Sequence, residues 1–138
     1  MKFIFINNSN VDLLKKFINL NNSNFFRYYD SRNTNVIENH IATILLLEEN
    51  DIIGYGHLDF ENKIWLGICV LEKYTGKGYG KIIIKKLIEI STKNNIEKIY
   101  LTVDKTNKIA LNFYEKYDFK ICGEFNYYYK MSRTNTEN

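Results

Sequence analysis

The strongest chemical signal in the chain is the stretch TGKGYGK at positions 75–81. Gly76, Gly78 and Gly80 alternate, so the backbone there can take positive φ and bring its N–H groups close to an anion. A helical pattern starts at the same place. Its first N–H groups lack intrahelical partners, and its dipole presents a positive end. Lys77 and Lys81 add charge. These are the parts of a phosphate or pyrophosphate cradle. Two familiar phosphate loops do not fit. The G-x-x-x-x-G-K-[S/T] loop needs a hydroxyl after its lysine, and Lys81 is followed by Ile82. The G-x-G-x-x-G fingerprint needs a third glycine at 81 or 83, where Lys81 and Ile83 stand. A second polar group lies on IIGYGHLDF (52–60), where strand alternation places Ile53, Tyr55, His57 and Asp59 on one face.

The elements that would position these residues follow from spacing. KFIFIN (2–7) reads as a strand, and Leu13, Leu14, Phe17 and Ile18 mark an amphipathic helix over 10–20, with Ser9 or Asn10 as cap. Residues 19–35 form a long polar loop with aromatics, followed by a short helix near 35–41. Strands at 42–49, 52–60 and 63–71 make an antiparallel meander turning at Asn50-Asp51 and Glu61-Asn62. After the glycine loop, Ile83, Ile84, Leu87, Ile88 and Ile90 set a 3.6-residue rhythm, so 81–94 is a helix despite its β-branched KIII start. A strand at 96–104, a helix at 107–117 capped by Thr106 or Asn107, and two closing strands complete the domain. Strand, loop, helix, strand across 63–104 implies one parallel βαβ crossover in an otherwise antiparallel sheet. The expected fold class is α+β, a single domain over 1–132 with a mixed sheet, and 133–138 is expected to be a disordered tail.

The glycine loop and the helix after it resemble the GNAT superfamily of N-acetyltransferases. The family signature [Q/R]-x-x-G-x-[G/A] falls on Thr75, Gly78 and Gly80, with Thr75 departing from the usual Gln or Arg. NKIALNFYEKYDF (107–119) is similar to N-x-x-A-x-x-x-Y-E-K-x-G-F. Asn107, Ala110, Tyr114, Glu115, Lys116 and Phe119 match, and Asp118 replaces Gly, a mild change because Asp tolerates left-handed backbone. The resemblance spans roughly residues 42–131.

The resemblance implies an acetyl-CoA-dependent N-acetyltransferase with no metal. The co-substrate would lie in a V between splayed strands 64–71 and 97–104, its pantetheine pairing with backbone near Ile68 and Val70. Thr75, Gly76, Lys77, Gly78, Gly80, Lys81 and Asn107 would complete that site. An amine would attack the thioester in a ternary complex, and Tyr114 matches the family's general acid toward the leaving thiolate. Many relatives carry a carboxylate base near position 64, and KIWLGICV has none. His57 and Asp59 are the replacements, with Glu72 third, because a His near its reference pKa of about 6.5 accepts a proton at neutral pH. The FFRYYDSR loop (25–32) is a surface loop or an acceptor-binding lid. Arg27 and Arg32 would suit an acidic or phosphorylated acceptor, and Tyr29 and Tyr128 are further lining candidates. The acceptor is expected to be a small-molecule amine, with an amino sugar as the specific expectation.

Composition narrows the alternatives. A net charge of +3 over 138 residues is far from the basic density of a nucleic-acid binder. KGYGKIII (77–84) and IFINNS (4–9) resemble RNA-binding RRM motifs, but Lys81 and Ile84 stand where stacking aromatics belong, and the two lie too far apart. A CoA-binding fold without activity is the other alternative. Cys69 and Cys122 sit in apolar runs without metal spacing and read as buried reduced thiols, while His40 reads as structural. No signal peptide or membrane span is recognisable, so the expectation is a cytoplasmic protein with no nucleic-acid or membrane partner and a homodimer left open.

Overall fold

The computed structural model describes residues 1–20 and 40–135. Tyr29, Arg27 and Arg32 therefore lie outside the described residues, as does most of the short helix expected over 35–41. In chain order the elements are β1 (Lys2–Phe5), α1 (Val11–Leu20), β2 (His40–Glu48), β3 (Asp51–Glu61) and β4 (Lys63–Val70), then a 3-10 turn (Glu72–Tyr74), α2 (Tyr79–Lys93), β5 (Lys98–Asp104), α3 (Lys108–Glu115), β6 (Lys120–Glu124) and β7 (Tyr128–Thr134). His40 and Ile41 thus begin a strand instead of ending a helix. The strand β7 also runs past the expected domain end at 132. Arg133 Nη1 donates to Tyr117 O at 2.6 Å, and Asn135 Nδ2 donates to Ile96 O at 2.7 Å, so the start of the presumed tail is tied down.

The strands form one sheet in the order β1-β2-β3-β4-β5-β7-β6. Every pairing is antiparallel except β4 with β5, where the crossover through α2 requires parallel strands. The meander turns at positive-φ residues, Glu49 (φ 57°) and Asn62 (φ 62°).

Two apolar clusters sandwich the sheet. On one face, Leu14 and Phe17 of α1 pack on Leu45, Leu47, Ile52, Tyr55 and Cys69. An isolated helix of ten residues is marginal in water, so this buried stripe is what holds α1 in place. On the other face, Ile83, Ile84 and Leu87 of α2 and Leu111 of α3 join Ile53, Leu58, Leu66, Ile99, Leu101 and Met131. At Gly56 an added Cβ would lie 2.8 Å from Ile83 Cγ2, so α2 packs directly on the β3 backbone. A register shift between Leu46 and Leu47 places Ile53 at a β-bulge. The bulge moves Ile53 into the α2-side cluster while Tyr55 stays on the α1 side, so the expectation that these two share a face does not hold. Cys69 is buried as expected, but Cys122 is exposed. It lies at a register shift on β6, an edge strand whose residues are mostly exposed.

Candidate active site

Between β4 and β5 the sheet is nearly split. Their only ladder partners are Trp65 and Tyr100. On its other edge β4 stays paired to β3 from Lys63 through Val70. Leu71 N donates to Ile53 O at 2.9 Å, so odd-numbered residues here aim their N–H groups at β3. By alternation, the N–H and C=O groups of Ile68 and Val70 face the gap. The gap is thus lined by open backbone on the β4 side, at the two residues expected from sequence, and no rung joins β4 to β5 between Trp65 and the glycine loop.

That loop sits where β4 delivers the chain to α2. Gly76 (φ 77°) and Gly78 (φ 87°) are both left-handed, and Gly78 is the N-cap of α2, with no side-chain cap. A Cβ added at either glycine would meet nothing within 4 Å, so the space above them is open. Gly80 is different: its Cβ position lies 3.6 Å from Phe113 Cζ, so it packs α2 against α3. Lys77 and Lys81 are exposed, and no acidic residue occupies the first turn of α2. Thr75 Oγ1 donates to Glu72 O at 2.8 Å, closing the 3-10 turn instead of pointing into the loop. Tyr79 OH donates to Glu48 Oε2 at 2.6 Å, tying the start of α2 to the end of β2. Open amides, a helix N-terminus and two lysines together suit a diphosphate.

Asn107 Oδ1 accepts from Ala110 N at 3.0 Å, so its carbonyl caps α3. Asp118 takes φ 68° where the family pattern has Gly, and Arg133 Nη1 lies 3.4 Å from its carboxylate. Tyr114 on α3 packs edge-on to Phe113 and Phe119 at centroid separations of 5.3 and 5.7 Å. The residue as a whole is half-buried. Desolvation, with a smaller contribution from Cys69, pushes its pKa up to about 12. Cys69 belongs to β4, the strand that borders the gap, and Tyr114 packs against the apolar cluster on the α2 side.

On the α1 face, the register aligns Thr43, His57 and Gly67 across three strands, and His40, Asp59 and Trp65 in the next row. A bulge at Ile41 puts His40 and Thr43 on the same face, with His40 Nδ1 2.6 Å from Thr43 Oγ1. His57 Nδ1 lies 2.6 Å from Tyr55 OH, and the His40 and His57 ring centroids are 4.6 Å apart. The His57 ring lies flat over Gly67: a Cβ there would be 2.5 Å from His57 Cε1. Sequence reasoning passed over Gly67 and set His40 aside, because neither their register nor the Ile41 bulge is visible in one strand.

The expected pKa of His57, near 6.5, does not hold. Desolvation, with a smaller effect of His40, lowers it to about 3, and desolvation lowers His40 to about 4. Both rings are neutral at pH 7. Asp59 is shifted upward, by burial first and by Glu61 second. His57, Asp59 and the gap thus come together in adjacent rows. Tyr128 does not join them. It pairs with Asp104 at the far end of β5, stacks on Phe125 at 4.8 Å, and lies three strands from His57. Glu72 is exposed in the 3-10 turn beside the glycine loop, away from that row.

Solved structures share this architecture. The PaiA N-acetyltransferase of Thermoplasma acidophilum, in complex with coenzyme A, superposes with a TM-score of 0.75 at 19% identity, covering 98% of this chain and 100% of that one. An IAA acetyltransferase from Bacillus cereus ATCC 14579 gives 0.77 at 15% identity, with 97% and 99% covered. In sequence, the spermine/spermidine N(1)-acetyltransferase of Bacillus subtilis (strain 168) is 30% identical over 93 residues, covering 59% of this chain. The chain spans about three fifths of that relative's length (61%). A mouse thialysine N-epsilon-acetyltransferase is 34% identical over 71 residues, 46% of this chain and 42% of the relative. The family model for acetyltransferases of the GNAT family matches residues 12–119, which contain the glycine loop, the gap and Tyr114, and the chain belongs to that family.

Proposed function

We propose that the protein is an N-acetyltransferase that uses acetyl-CoA as co-substrate and acetylates a primary amine of a small molecule by direct attack in a ternary complex. The carrying observation is the gap: β4 and β5 meet only at Trp65–Tyr100, and the glycine cradle stands at the open end. An extended ligand anchored by its diphosphate at 76–81 fits a gap whose β4 wall offers the open N–H and C=O groups of Ile68 and Val70. From Val70 to Trp65 the strand covers about 17 Å, so the acyl end of such a ligand reaches the closed end of the gap.

Each residue then has a task. Acetyl-CoA supplies a thioester carbonyl, which the neutral amine attacks. Backbone N–H groups of β4 face the gap, where charge develops on the carbonyl oxygen. Tyr114 stays protonated throughout the neutral range and donates a hydrogen bond, then a proton, to the departing sulfur. Asp59, ionisable and shifted upward, is the better proton acceptor near the amine. His57, whose conjugate acid is strong, orients neighbours as a neutral ring.

Two acceptor classes go to the assay: amino sugars, from the sequence resemblance, and polyamines, because a relative is named for spermine and spermidine. The test is acceptor-dependent release of free CoA across a panel of amines, together with calorimetric binding of CoA. Saturable CoA binding and amine-dependent thiol release support the reading. CoA binding without release for any amine leaves a binding module, and no CoA binding overturns the assignment.

A further inference from the structure

The closed end of the gap carries a feature that the reaction itself does not call for. The Tyr100 ring, 5.6 Å from Trp65, has three lysine ammonium groups around it: Lys63 Nζ at 4.5 Å, Lys98 Nζ at 5.8 Å and Lys130 Nζ at 5.8 Å from its centroid. They come from three neighbouring strands, β4, β5 and β7, on the face that also bears His57 and Asp59.

Three ammonium groups around one ring make this patch locally positive, and the ring face offsets part of their mutual repulsion. Among the described residues the ion pairs involve Lys15, Lys86, Lys93, Lys105 and Arg133, and none involves these three lysines. Lys63 is the cross-strand partner of Glu61, yet it reaches toward Tyr100 and makes no ion pair with Glu61. Three cations with no ion-pair partner among the described residues, at the closed end of the gap, offer an anion a place to bind.

We propose that Lys63, Lys98 and Lys130, grouped around Tyr100, hold an anionic group of the acceptor, so that the substrate is a primary amine that also carries a carboxylate or phosphate. This rests on the acetyltransferase reading and narrows its acceptor. Polyamines are disfavoured, because a polycation would enter a field of its own sign. The opposite charge for the incoming ammonium is Asp59, two strands from Tyr100. Neighbouring strands are about 4.8 Å apart, so amine and anion in the acceptor are separated by less than about 10 Å.

The experiment compares matched amines on the CoA-saturated protein, by calorimetric binding and by kcat/KM. O-phosphoethanolamine and 4-aminobutyrate are the anionic members, ethanolamine and butylamine the neutral-tailed ones, and spermidine the polycation. The expected result is at least a tenfold preference for the anionic members. That preference should weaken as salt rises and fall toward one in the Lys63→Gln/Lys130→Gln double variant, while CoA affinity is retained. Lys63→Arg/Lys130→Arg should keep it, which a purely structural role for the lysines does not require. A larger preference for the phosphate or for the carboxylate member identifies the group. Equal or better binding of ethanolamine or spermidine overturns the inference and leaves CoA-dependent acetylation standing, as does a preference that the glutamine variant preserves. Loss of CoA binding in the parent protein instead refutes the acetyltransferase reading. In that case the amine-binding preference, measured on the CoA-free protein, still decides the lysine site.

Discussion

Gly78 offers the most decisive perturbation of the cradle. It caps α2 at φ 87°, and a Cβ there would meet no atom within 4 Å. A side chain therefore costs the fold backbone strain alone, about 1–2 kcal/mol for a left-handed residue and less for Asn or Asp. Ala, Asn and Asp at this position separate three effects. Ala reports the strain. Asn adds the bulk, and Asp adds one negative charge to nearly the same shape. For unit charges about 5 Å apart, Coulomb's law gives roughly 0.8 kcal/mol in water and roughly 3 kcal/mol at an effective dielectric of 20. The CoA Kd of Gly78→Asp should thus exceed that of Gly78→Asn by between about fourfold and about two-hundredfold. Calorimetry at low and high salt is the assay, and the ratio should shrink at high salt. Matching Kd values for folded Asn and Asp variants at low salt would mean that the diphosphate does not rest on this loop.

Three more expectations follow from the site. Tyr114→Phe should lower kcat by roughly two orders of magnitude, the lower end of general-acid contributions, with little change in CoA affinity; parental turnover would remove Tyr114 from the chemistry. Both histidines are held neutral with pKa values of about 4 and 3, below the unfolded value of 6.5, so the unfolded chain binds more protons as pH falls. Stability is full above pH 6.5 and is lost as pH drops from there toward the folded pKa values, at about 1.4 kcal/mol per pH unit for each ring. The Tm should fall from pH 7 to pH 5, less steeply in His57→Gln, and an NMR titration of His57 near 6.5 would contradict this. In Gly67→Ala the new methyl would sit 2.5 Å from His57 Cε1, an overpacking of about 1–3 kcal/mol that predicts a Tm loss of roughly 4–12 °C. An unaltered Tm would show that the ring swings aside freely.

Local chemistry made much of this legible from sequence. The alternation of Gly76, Gly78 and Gly80 is a backbone requirement, and two of the three do adopt positive φ. The isoleucine rhythm of α2 and the left-handed tolerance of Asp118 are equally local. What stayed hidden depends on register. The bulge at Ile41 brings His40 beside His57, and the bulge at Ile53 sends that side chain to the opposite face. Each inserts one residue into a pattern that otherwise alternates. Burial then reset the pKa of His57, which the residue type alone would place near 6.5. The lysines around Tyr100 are scattered over 63, 98 and 130, so only the strand order assembles them.

With a single rung joining β4 to β5, the sheet behaves as two leaves bound at one stitch, β1 to β4 on one side and β5 to β6 on the other. The helices α2 and α3 bridge the leaves through one shared apolar layer. Whatever fills the slit therefore also acts as mortar. Hydrogen exchange at Leu66–Val70 and Leu101–Asp104 should slow far more on CoA binding than exchange at the β2–β3 pairing, so that the same opening that admits the co-substrate makes its grip a measure of how firmly the leaves close.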